Sequence, residues 1–301
     1  MKIAVAMSGG VDSTAAAILL VAQENDCCGI TMKLLTGDKK YEKVFKENVK
    51  NAKLVCKKLG IEHITVDFSE KFNDLIIQDF IENYTKGLTP NPCIICNEQI
   101  KFGLLMDYIK SKGFDKLATG HYVNIDKIND NYYLKKGNAI KKDQSYFLSR
   151  VKQDVLKDII FPLSDYEKDQ VIDLVKTRNL YLAKKESQEI CFIPDDDYEK
   201  FIKQFVSNIK PGDFIDENQK VVGQHRGIAF YTIGQRRGLG VALGKPGYVR
   251  KINPDDNTIE IGDPLYVKSF NIYKINILAE EYINNELTVK VRYRHSGVPA
   301  K

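Results

Sequence analysis

The feature that most constrains the fold is a glycine turn near the start of the chain, set between a strand pattern and a helix pattern. KIAVAM (2–7) is a short apolar run, and DSTAAAILLVAQ (12–23) is rich in alanine and leucine. Such a run is typical of a buried parallel strand, and alanine and leucine favour helix. Between them, Ser8-Gly9-Gly10 lets backbone N–H groups approach an anion, to which the following helix also points its positive N-terminal end. We therefore expect a phosphate-binding loop.

The following segments continue the alternation of strand and helix patterns. Strand patterns occupy 29–35, 62–68 and 114–123, and helix patterns occupy 42–60, 70–87, 98–112 and 164–180. The last helix pattern opens with the capping-box signature Ser164-x-x-Glu167. This alternation predicts an α/β fold, in which helices cover both faces of a parallel sheet. Ligands of such sheets bind at the carboxyl ends of the strands, which is where the segment Ser8–Ser13 lies.

The sequence pattern changes after about residue 205. From there, short strand patterns alternate with turns containing glycine, proline or Asn-Asp, which indicates a small all-β domain. We predict three parts: a phosphate-binding α/β domain at 1–203, a central β domain at 204–266 and a further β segment at 267–301.

Composition is that of an ordinary globular protein. The 301 residues are 43% hydrophobic and 28% charged, with a net charge of +5 that permits a polyanionic partner without requiring one. No apolar run reaches the roughly 18 residues that a membrane span needs. The first residues lack a signal-peptide layout, because glycines interrupt the apolar segment. We expect a cytoplasmic protein with no membrane partner.

The loop SGGVDS differs from a Walker A loop because it has no Gly-Lys-Ser/Thr to deliver a lysine to terminal phosphates. It resembles the PP-loop of ATP pyrophosphatases, which cleave ATP between the α and β phosphates and attach AMP to a substrate oxygen. The resemblance implies that Asp12 helps to place Mg²⁺ and takes part in catalysis. The ATP-binding residues that it implies are Ala6, Met7, Ser8, Gly9, Gly10, Val11, Asp12 and Ser13.

Five further motifs occur in a fixed order along the chain. They are TPNPCIICNEQIKFG (89–103), TGHYV (119–123), KKDQSYFL (141–148), SQEICFIPDDDY (187–198) and YTIGQRRGLG (231–240). Together they closely resemble the tRNA 2-thiouridylases, the MnmA family, from about residue 2 to about residue 295. The resemblance implies a tRNA-uridine 2-sulfurtransferase that thiolates the wobble uridine, U34, of tRNA. Its partners would be tRNA and a sulfur donor, such as a cysteine desulfurase or a sulfur-relay protein.

This chemistry makes specific demands on residues. The C2 oxygen of uridine must become a leaving group, which adenylation achieves, and a cysteine persulfide must supply the sulfur. A second thiol then releases the sulfur by closing a disulfide. By the resemblance, Cys191 in EICFIP carries the persulfide and Cys96 in CIICN is its partner, so the two would form a disulfide during the reaction.

One cysteine departs from the family pattern. Many members have Asp where this chain has Cys93, so that Cys93, Cys96 and Cys191 make a set of three thiols. Such a set would also suit a [4Fe–4S] cluster with one open iron position, and Cys93–Cys96 could instead be a redox pair. The persulfide relay, the cluster and the redox pair stay open at this point. We expect Cys27, Cys28 and Cys56 to be buried core residues.

The resemblance also implies nucleotide and tRNA contacts. Met32 and Gly120 match contacts to the adenine or ribose of ATP. The implied tRNA contacts are Asn91, Pro92 and Cys93 at the target base, His121, the triplet Lys142-Asp143-Gln144, and the pair Arg292-Tyr293. From the residues themselves, Arg226 and Gln235-Arg236-Arg237 form basic, glycine-flanked segments suited to phosphate contacts.

Two other classes of function compete with this interpretation. A PP-loop amide ligase would leave Cys96 and Cys191 without a role, and no segment here offers a glutaminase domain. A catalytically inactive RNA-binding protein is suggested by the C-terminal segment, since family members usually continue into a complete β-barrel. We accordingly expect 267–301 to form only part of that barrel.

Overall fold

The computed structural model describes residues 1–180, 190–193, 197–242, 244–282, 285–293 and 295–300. Residues 187–189 and 194–196 of the SQEICFIPDDDY motif therefore lie outside the described residues. The chain forms two compact units. Unit one comprises 1–73, 93–186 and 274–301, and unit two comprises 74–92 and 187–273.

The helices and strands of the described chain follow its order. The strands are β1 Lys2–Ala6, β2 Asp26–Lys33, β3 Glu62–Asp67, β4 Lys116–Ala118, β5 Val123–Ile128, β6 Asn131–Lys136, β7 Ile159–Ile160, β8 Gly212–Ile215, β9 Val221–His225, β10 Tyr248–Asn253, β11 Thr258–Gly262, β12 Leu287–Val289 and β13 Val298–Ala300. The α-helices are α1 Val11–Ala22, α2 Lys39–Leu59, α3 Ser69–Phe72, α4 Gln78–Thr85, α5 Pro92–Ile95, α6 Leu105–Ser111, α7 Gln153–Leu156, α8 Lys168–Thr177 and α9 Tyr198–Phe205. Two π-helical segments, Asn73–Ile77 and Cys96–Leu104, join α3 to α4 and α5 to α6.

A five-stranded sheet organises unit one. Its order is β3-β2-β1-β4-β7, and every pair of neighbours is parallel. β2 and β4 lie on opposite sides of β1, so the chain reverses its winding direction at β1. Such a switch point opens a crevice at the carboxyl end of the strands. The predicted α/β fold is confirmed, and the loop after β1 lies at the crevice.

Side-chain alternation along the strands builds a core on each face of this sheet. Ile3 and Val5 of β1 pack with α1, α2 and α8 on one face. Ala4 of β1 and Ile30 of β2 pack with α6 and the segment around Leu148 on the other. All four of these strand side chains have no exposed surface. The two cores fix the position of the loop that leaves β1.

The structure corrects two of the predicted elements. The strand predicted at 114–123 ends at Ala118, after which the chain turns and forms the antiparallel hairpin β5–β6. The predicted capping residue Ser164 is also wrong, because α8 begins at Lys168 and is capped by Glu167 and Gln170. The backbone N–H of Glu167 donates to Gln170 Oε1 at 2.8 Å, so the box lies three residues later than the sequence signature.

Unit two contains a four-stranded sheet of order β10-β11-β8-β9, in agreement with the predicted β domain.

In unit two, α4 packs against α9 through aromatic side chains. The Phe80 ring lies 5.2 Å from Phe192 and 6.2 Å from Phe201, and all three side chains are buried. This cluster joins residues 74–92 to the chain after 187. Unit two contains residues from both sides of 203/204. The domain boundaries at 203/204 and 266/267 stay a prediction.

No helix in the described part of the chain is both long enough and apolar enough to cross a membrane.

The aromatic cluster yields a stability prediction. Phe80→Ala removes a side chain with no exposed surface, so we expect it to lower the free energy of unfolding by about 3–5 kcal/mol. Phe205→Ala is the matched control because Phe205 lies in the same cluster but is 45% exposed, and we expect it to cost about 1–2 kcal/mol. Urea unfolding followed by circular dichroism measures both. Equal losses in the two variants would contradict the packing described here.

Candidate active site

The loop between β1 and α1 is held by its own serines and by the neighbouring strand. Met7 N–H donates to the Ile30 carbonyl at 2.8 Å, which continues the β1–β2 pairing beyond β1. Ser8 N–H donates to Ser13 Oγ at 3.2 Å, and Ser13 Oγ–H donates to the Gly10 carbonyl at 3.1 Å. The serines thereby fix the turn before the helix begins.

Gly9 is required by this turn. Its φ of +71° lies in the left-handed region, and a Cβ there would stand 2.7 Å from the Asn48 carbonyl oxygen of α2. The helix begins at Val11 after an N-cap, Gly10, that offers no side-chain cap. The first backbone N–H groups of α1 therefore have no side-chain acceptor at the N-cap, and they can donate to a bound anion.

Asp12, in the first turn of α1, receives two hydrogen bonds from distant parts of unit one. Tyr122 O–H and Lys168 Nζ each donate to Asp12 Oδ1 at 2.7 Å. The Lys168 side chain is 15% exposed and the Asp12 side chain 33% exposed, so the ion pair is partly screened from water. A carboxylate oxygen is the ligand that Mg²⁺ prefers, so Asp12 fits the predicted metal contact.

Gly120 lies directly against the loop. A Cβ at Gly120 would stand 2.7 Å from the Asp12 carbonyl carbon and 2.9 Å from the Ser13 nitrogen. Both atoms belong to the backbone, which cannot swing aside, so the position admits only glycine without a shift of α1. The structure thus brings Gly120 to the phosphate loop. Met32 lies in β2, next to β1 in the sheet, and packs partly buried in the second core.

Cys96 opens the π-helical segment that follows α5. A π-helix closes its hydrogen bonds between residues five apart, and such segments are frequent at functional sites. Gly103 suits this geometry, because a Cβ added there would lie 3.1 Å from the carbonyl oxygen of Glu98, five residues earlier.

The residues before Cys96 differ in their exposure. Pro92 is buried at the start of α5, and Cys93 is exposed. Asn91 is half-buried and belongs to unit two.

Burial raises the pKa of the Cys96 thiol to about 11, an effect that the positive charge of Lys101 partly offsets. The same lysine contacts His121 at the turn after β4: Lys101 Nζ lies 3.4 Å from His121 Nε2. An ammonium only donates, so Nε2 accepts and Nδ1 carries the proton that bonds Thr119 Oγ1 at 2.6 Å. Burial lowers the pKa of His121 well below its usual range, which keeps the ring neutral.

Cys191 lies in unit two on a tight turn in which Ile193 N–H donates to the Ile190 carbonyl at 3.0 Å. Its neighbours Phe192 and Ile193 are buried, whereas Cys191 itself is exposed. The turn therefore anchors its apolar residues in the core and presents the Cys191 side chain to solvent. Cys191 is therefore not a small residue of the core, and another molecule can reach its thiol.

The remaining cysteines are structural, as predicted. Cys27, Cys28 and Cys56 are at most 6% exposed. Burial raises the pKa of the Cys28 and Cys56 thiols to about 11, so they are protonated at neutral pH. The described residues contain no group of three or more His, Cys, Asp or Glu that could hold a metal ion. The [4Fe–4S] ligand set of the sequence analysis therefore stays a prediction.

The predicted triplet at 142–144 is linked to the phosphate loop through Tyr122, whose hydroxyl bonds Asp12. Gln144 exchanges two hydrogen bonds with Tyr122: its Oε1 accepts from Tyr122 N–H at 3.2 Å, and its N–H donates to the Tyr122 carbonyl at 3.1 Å. Asp143 is 8% exposed, and its carboxylate accepts from Ser145 Oγ–H at 2.7 Å. Lys142 is half-exposed. Gln144 therefore holds the backbone of Tyr122, and the contact of Lys142, Asp143 and Gln144 with tRNA stays a prediction.

Tyr293 joins an aromatic cluster at the surface of unit one. Its ring lies 4.5 Å from Phe147 and 6.2 Å from Tyr146. Asn97 of the Cys96 segment donates to the Phe147 carbonyl at 2.9 Å, so this cluster is linked to the cysteine helix. Arg292, beside Tyr293, is exposed.

The predicted basic residues of the β domain separate into two kinds. Arg226 makes two contacts with Glu199, at 2.6 and 3.0 Å, so an internal carboxylate already holds its guanidinium. Arg236 and Arg237 are exposed, and Gln235 bonds within its own loop. All three guanidinium groups are exposed, and that of Arg226 is paired with the Glu199 carboxylate.

Sequence reasoning missed Tyr122, Lys168, Lys101 and Asn97. Tyr122 lies inside the TGHYV motif and Lys101 and Asn97 inside the cysteine motif, so the motif matches alone could have singled them out. Lys168 lies 156 positions from its partner Asp12, and its sequence context shows only a helix start.

Comparison with known proteins agrees with these features. A family model described as the tRNA methyl transferase HUP domain matches residues 1–195, and another described as the tRNA methyl transferase PRC-barrel domain matches residues 199–263. The tRNA-specific 2-thiouridylase MnmA of Treponema denticola is 43% identical over 100% of this chain and 85% of its own length. The protein of that name from Syntrophomonas wolfei is 44% identical over 99% of this chain and 86% of its own.

A solved structure of U34-tRNA thiolase NcsA from Methanococcus maripaludis with its [4Fe-4S] cluster is more distant. It is 22% identical, covers 69% of this chain and 66% of that one, and has a TM-score of 0.43. That similarity is too low to support any functional argument. The two family models and the relatives matched along its length show that the chain belongs to the tRNA-specific 2-thiouridylase family.

Proposed function

We propose that the protein consumes ATP to replace the C2 oxygen of the wobble uridine in tRNA by sulfur. The observation that carries the proposal is the SGGVDS loop at the switch point of the sheet, with Asp12 at its centre, in a chain of the 2-thiouridylase family. In the first step, the uridine C2 oxygen attacks the α-phosphorus of ATP. The bond from that phosphorus to the bridging oxygen breaks, and pyrophosphate leaves with the electron pair.

Residues of unit one support this step. The backbone of Ser8–Ser13 and the N-terminal end of α1 bind the phosphates, and the end of β2 at Met32 and the turn at Gly120 border the nucleoside. Asp12 would hold Mg²⁺, which supplies charge neutralisation at the phosphates when bound. Tyr122 and Lys168 fix the Asp12 carboxylate before the substrate arrives, so the site is preorganised.

Two thiols carry out the second step. A donor of the cysteine desulfurase or sulfur-relay class leaves a persulfide on Cys191, whose exposed side chain suits this exchange. The terminal sulfur attacks C2, AMP leaves with the former C2 oxygen, and the uridine is joined to Cys191 through a disulfide. Cys96 then attacks the Cys191 sulfur, and its thiol proton is lost as the bond forms, while the C2 sulfur leaves with the electron pair of the broken disulfide. This attack releases 2-thiouridine and leaves a Cys96–Cys191 disulfide, which an external thiol must reduce before the next turnover.

The substrate tRNA would contact several surfaces. Asn91, Pro92 and Cys93 precede Cys96 and face the flipped base, as a base must leave its stack for chemistry at an internal atom. Lys142, Arg292, Arg236 and Arg237 provide exposed or half-exposed positive charge for the phosphate backbone. The rings of Tyr293 and Tyr146 offer faces on which a base can stack.

A variant of the same function uses iron. Cys93 stands where many members have Asp, and a cluster on Cys93, Cys96 and Cys191 would deliver sulfide in place of a persulfide. The relay needs no Cys93 thiol, whereas the cluster does. Cys93→Ser therefore separates the two mechanisms.

The adenylation step predicts the effect of Asp12→Asn. This change removes the charge that holds Lys168 and the metal, and we expect tRNA-dependent pyrophosphate release to fall about 100-fold or more. Asp169→Asn is the control, since Asp169 is exposed in the first turn of α8. A coupled pyrophosphate assay with and without tRNA measures both. A rate for Asp12→Asn within twofold of the unmodified protein would contradict the role of the loop.

The sulfur-transfer step predicts a separation of activities. Cys191→Ser should retain tRNA-dependent pyrophosphate release and lose 2-thiouridine formation, because the serine hydroxyl cannot hold a persulfide. Nucleoside analysis of the tRNA by mass spectrometry measures the product. Cys93→Ser is the companion variant: the relay predicts retained thiolation and the cluster predicts its loss together with bound iron. Undiminished thiolation in Cys191→Ser would overturn both sulfur-transfer mechanisms.

A further inference from the structure

We propose that Lys168 is a catalytic residue of the adenylation step, which binds the β- and γ-phosphates of ATP and stabilises pyrophosphate as it leaves. The proposal rests on the proposed function and adds to it a cation that the phosphate-loop motif lacks.

The loop itself supplies no positive side chain. Within Ser8–Ser13 the one charged residue is Asp12, which is negative. ATP brings several negative charges to this loop, and the leaving pyrophosphate gains one more as the bond to the α-phosphorus breaks. Backbone N–H groups contribute partial charges only. A full positive charge must therefore reach the loop from elsewhere in the structure or from a metal ion.

Lys168 supplies such a charge at the right place. Its Nζ lies 2.7 Å from Asp12 Oδ1, within the first turn of α1. The side chain is only 15% exposed, so its charge is less screened than that of a surface lysine. The ammonium also lies 5.9 Å from the centre of the Tyr122 ring, whose hydroxyl bonds the same Asp12 oxygen. Asp12 and Tyr122 together hold the ammonium at the mouth of the loop.

The local fold explains this placement. Lys168 is the first residue of α8, directly after the capping box formed by Glu167 and Gln170. Val171 and Val175, both fully buried, pack α8 into the core that also contains the alanines of α1. The first residue of α8 thus meets the first turn of α1, and the positive ends of two helices converge near Asp12.

The chemistry needs a cation there. When the uridine oxygen attacks the α-phosphorus, the electron pair of the breaking bond moves to the bridging oxygen of pyrophosphate. A fixed ammonium stabilises that developing charge without first having to reorganise. AMP lacks the β- and γ-phosphates that Lys168 would contact. We therefore expect Lys168 to contribute to the binding of pyrophosphate and to contribute little to the binding of AMP.

The test compares the two products on the whole protein by titration calorimetry with inorganic pyrophosphate and with AMP. In Lys168→Met we expect at least tenfold weaker pyrophosphate binding, AMP binding within twofold, and kcat for tRNA-dependent pyrophosphate release about 100-fold lower. Lys168→Gln keeps a hydrogen-bond donor for Asp12 without the charge and should behave in the same way, which keeps the test valid if Lys168→Met fails to fold. Lys168→Arg should recover pyrophosphate binding to within about threefold.

Lys176→Met is the matched control, because Lys176 lies at the other end of α8 and its side chain is 55% exposed. It should change none of these values. Equal weakening of AMP and pyrophosphate, or no weakening of either, would overturn the proposal. The binding measurements need no tRNA, so they test Lys168 even if the unmodified protein proves to have no tRNA-dependent activity, the result that would refute the proposed function instead.

Discussion

The candidate active site depends on one close backbone contact, between the turn after β4 and the first turn of α1. Gly120 has no side chain, and the space that a Cβ would fill is already occupied by the backbone of Asp12 and Ser13. This contact is possible because β1 and β4 are adjacent parallel strands whose carboxyl ends lie side by side. It brings the TGHYV turn to the phosphate loop, and with it Tyr122 and His121.

From that contact, a chain of hydrogen bonds extends across unit one. Asp12 is bonded by Tyr122, whose backbone is paired with Gln144. On the far side of Gln144, Phe147 accepts a hydrogen bond from Asn97 in the segment that Cys96 begins. The phosphate loop, the predicted tRNA triplet and the segment that begins at Cys96 thus belong to one continuous set of contacts. In unit two, Cys191 lies on a turn that buries Phe192 and Ile193 and exposes its own thiol.

The local sequence pattern predicted the parallel sheet, the phosphate loop and the burial of Cys27, Cys28 and Cys56. These features could be predicted because strand–turn–helix signals and apolar neighbours act over a few residues. It failed at Ser164, where a later cap competed, and at the strand after Ala118, where the chain leaves the sheet to form the site. The contact between Lys168 and Asp12 could not be predicted, since it depends on packing between helices and joins residues 156 positions apart in sequence. The sequence alone also does not show which residues form each compact unit, because unit two is held together by aromatic packing between segments that are far apart in the chain.

If ATP activates the tRNA itself, the α-phosphate of ATP must become attached to the tRNA, and this transfer can be followed with a label. The measurement is a single-turnover reaction of Cys191→Ser, which cannot deliver sulfur, with tRNA and ATP radiolabelled at either the α- or the γ-phosphate. We expect the α-label to become attached to tRNA and the γ-label to be released as pyrophosphate. Release of the α-label only as free nucleotide, with none on tRNA at any time, would contradict this expectation.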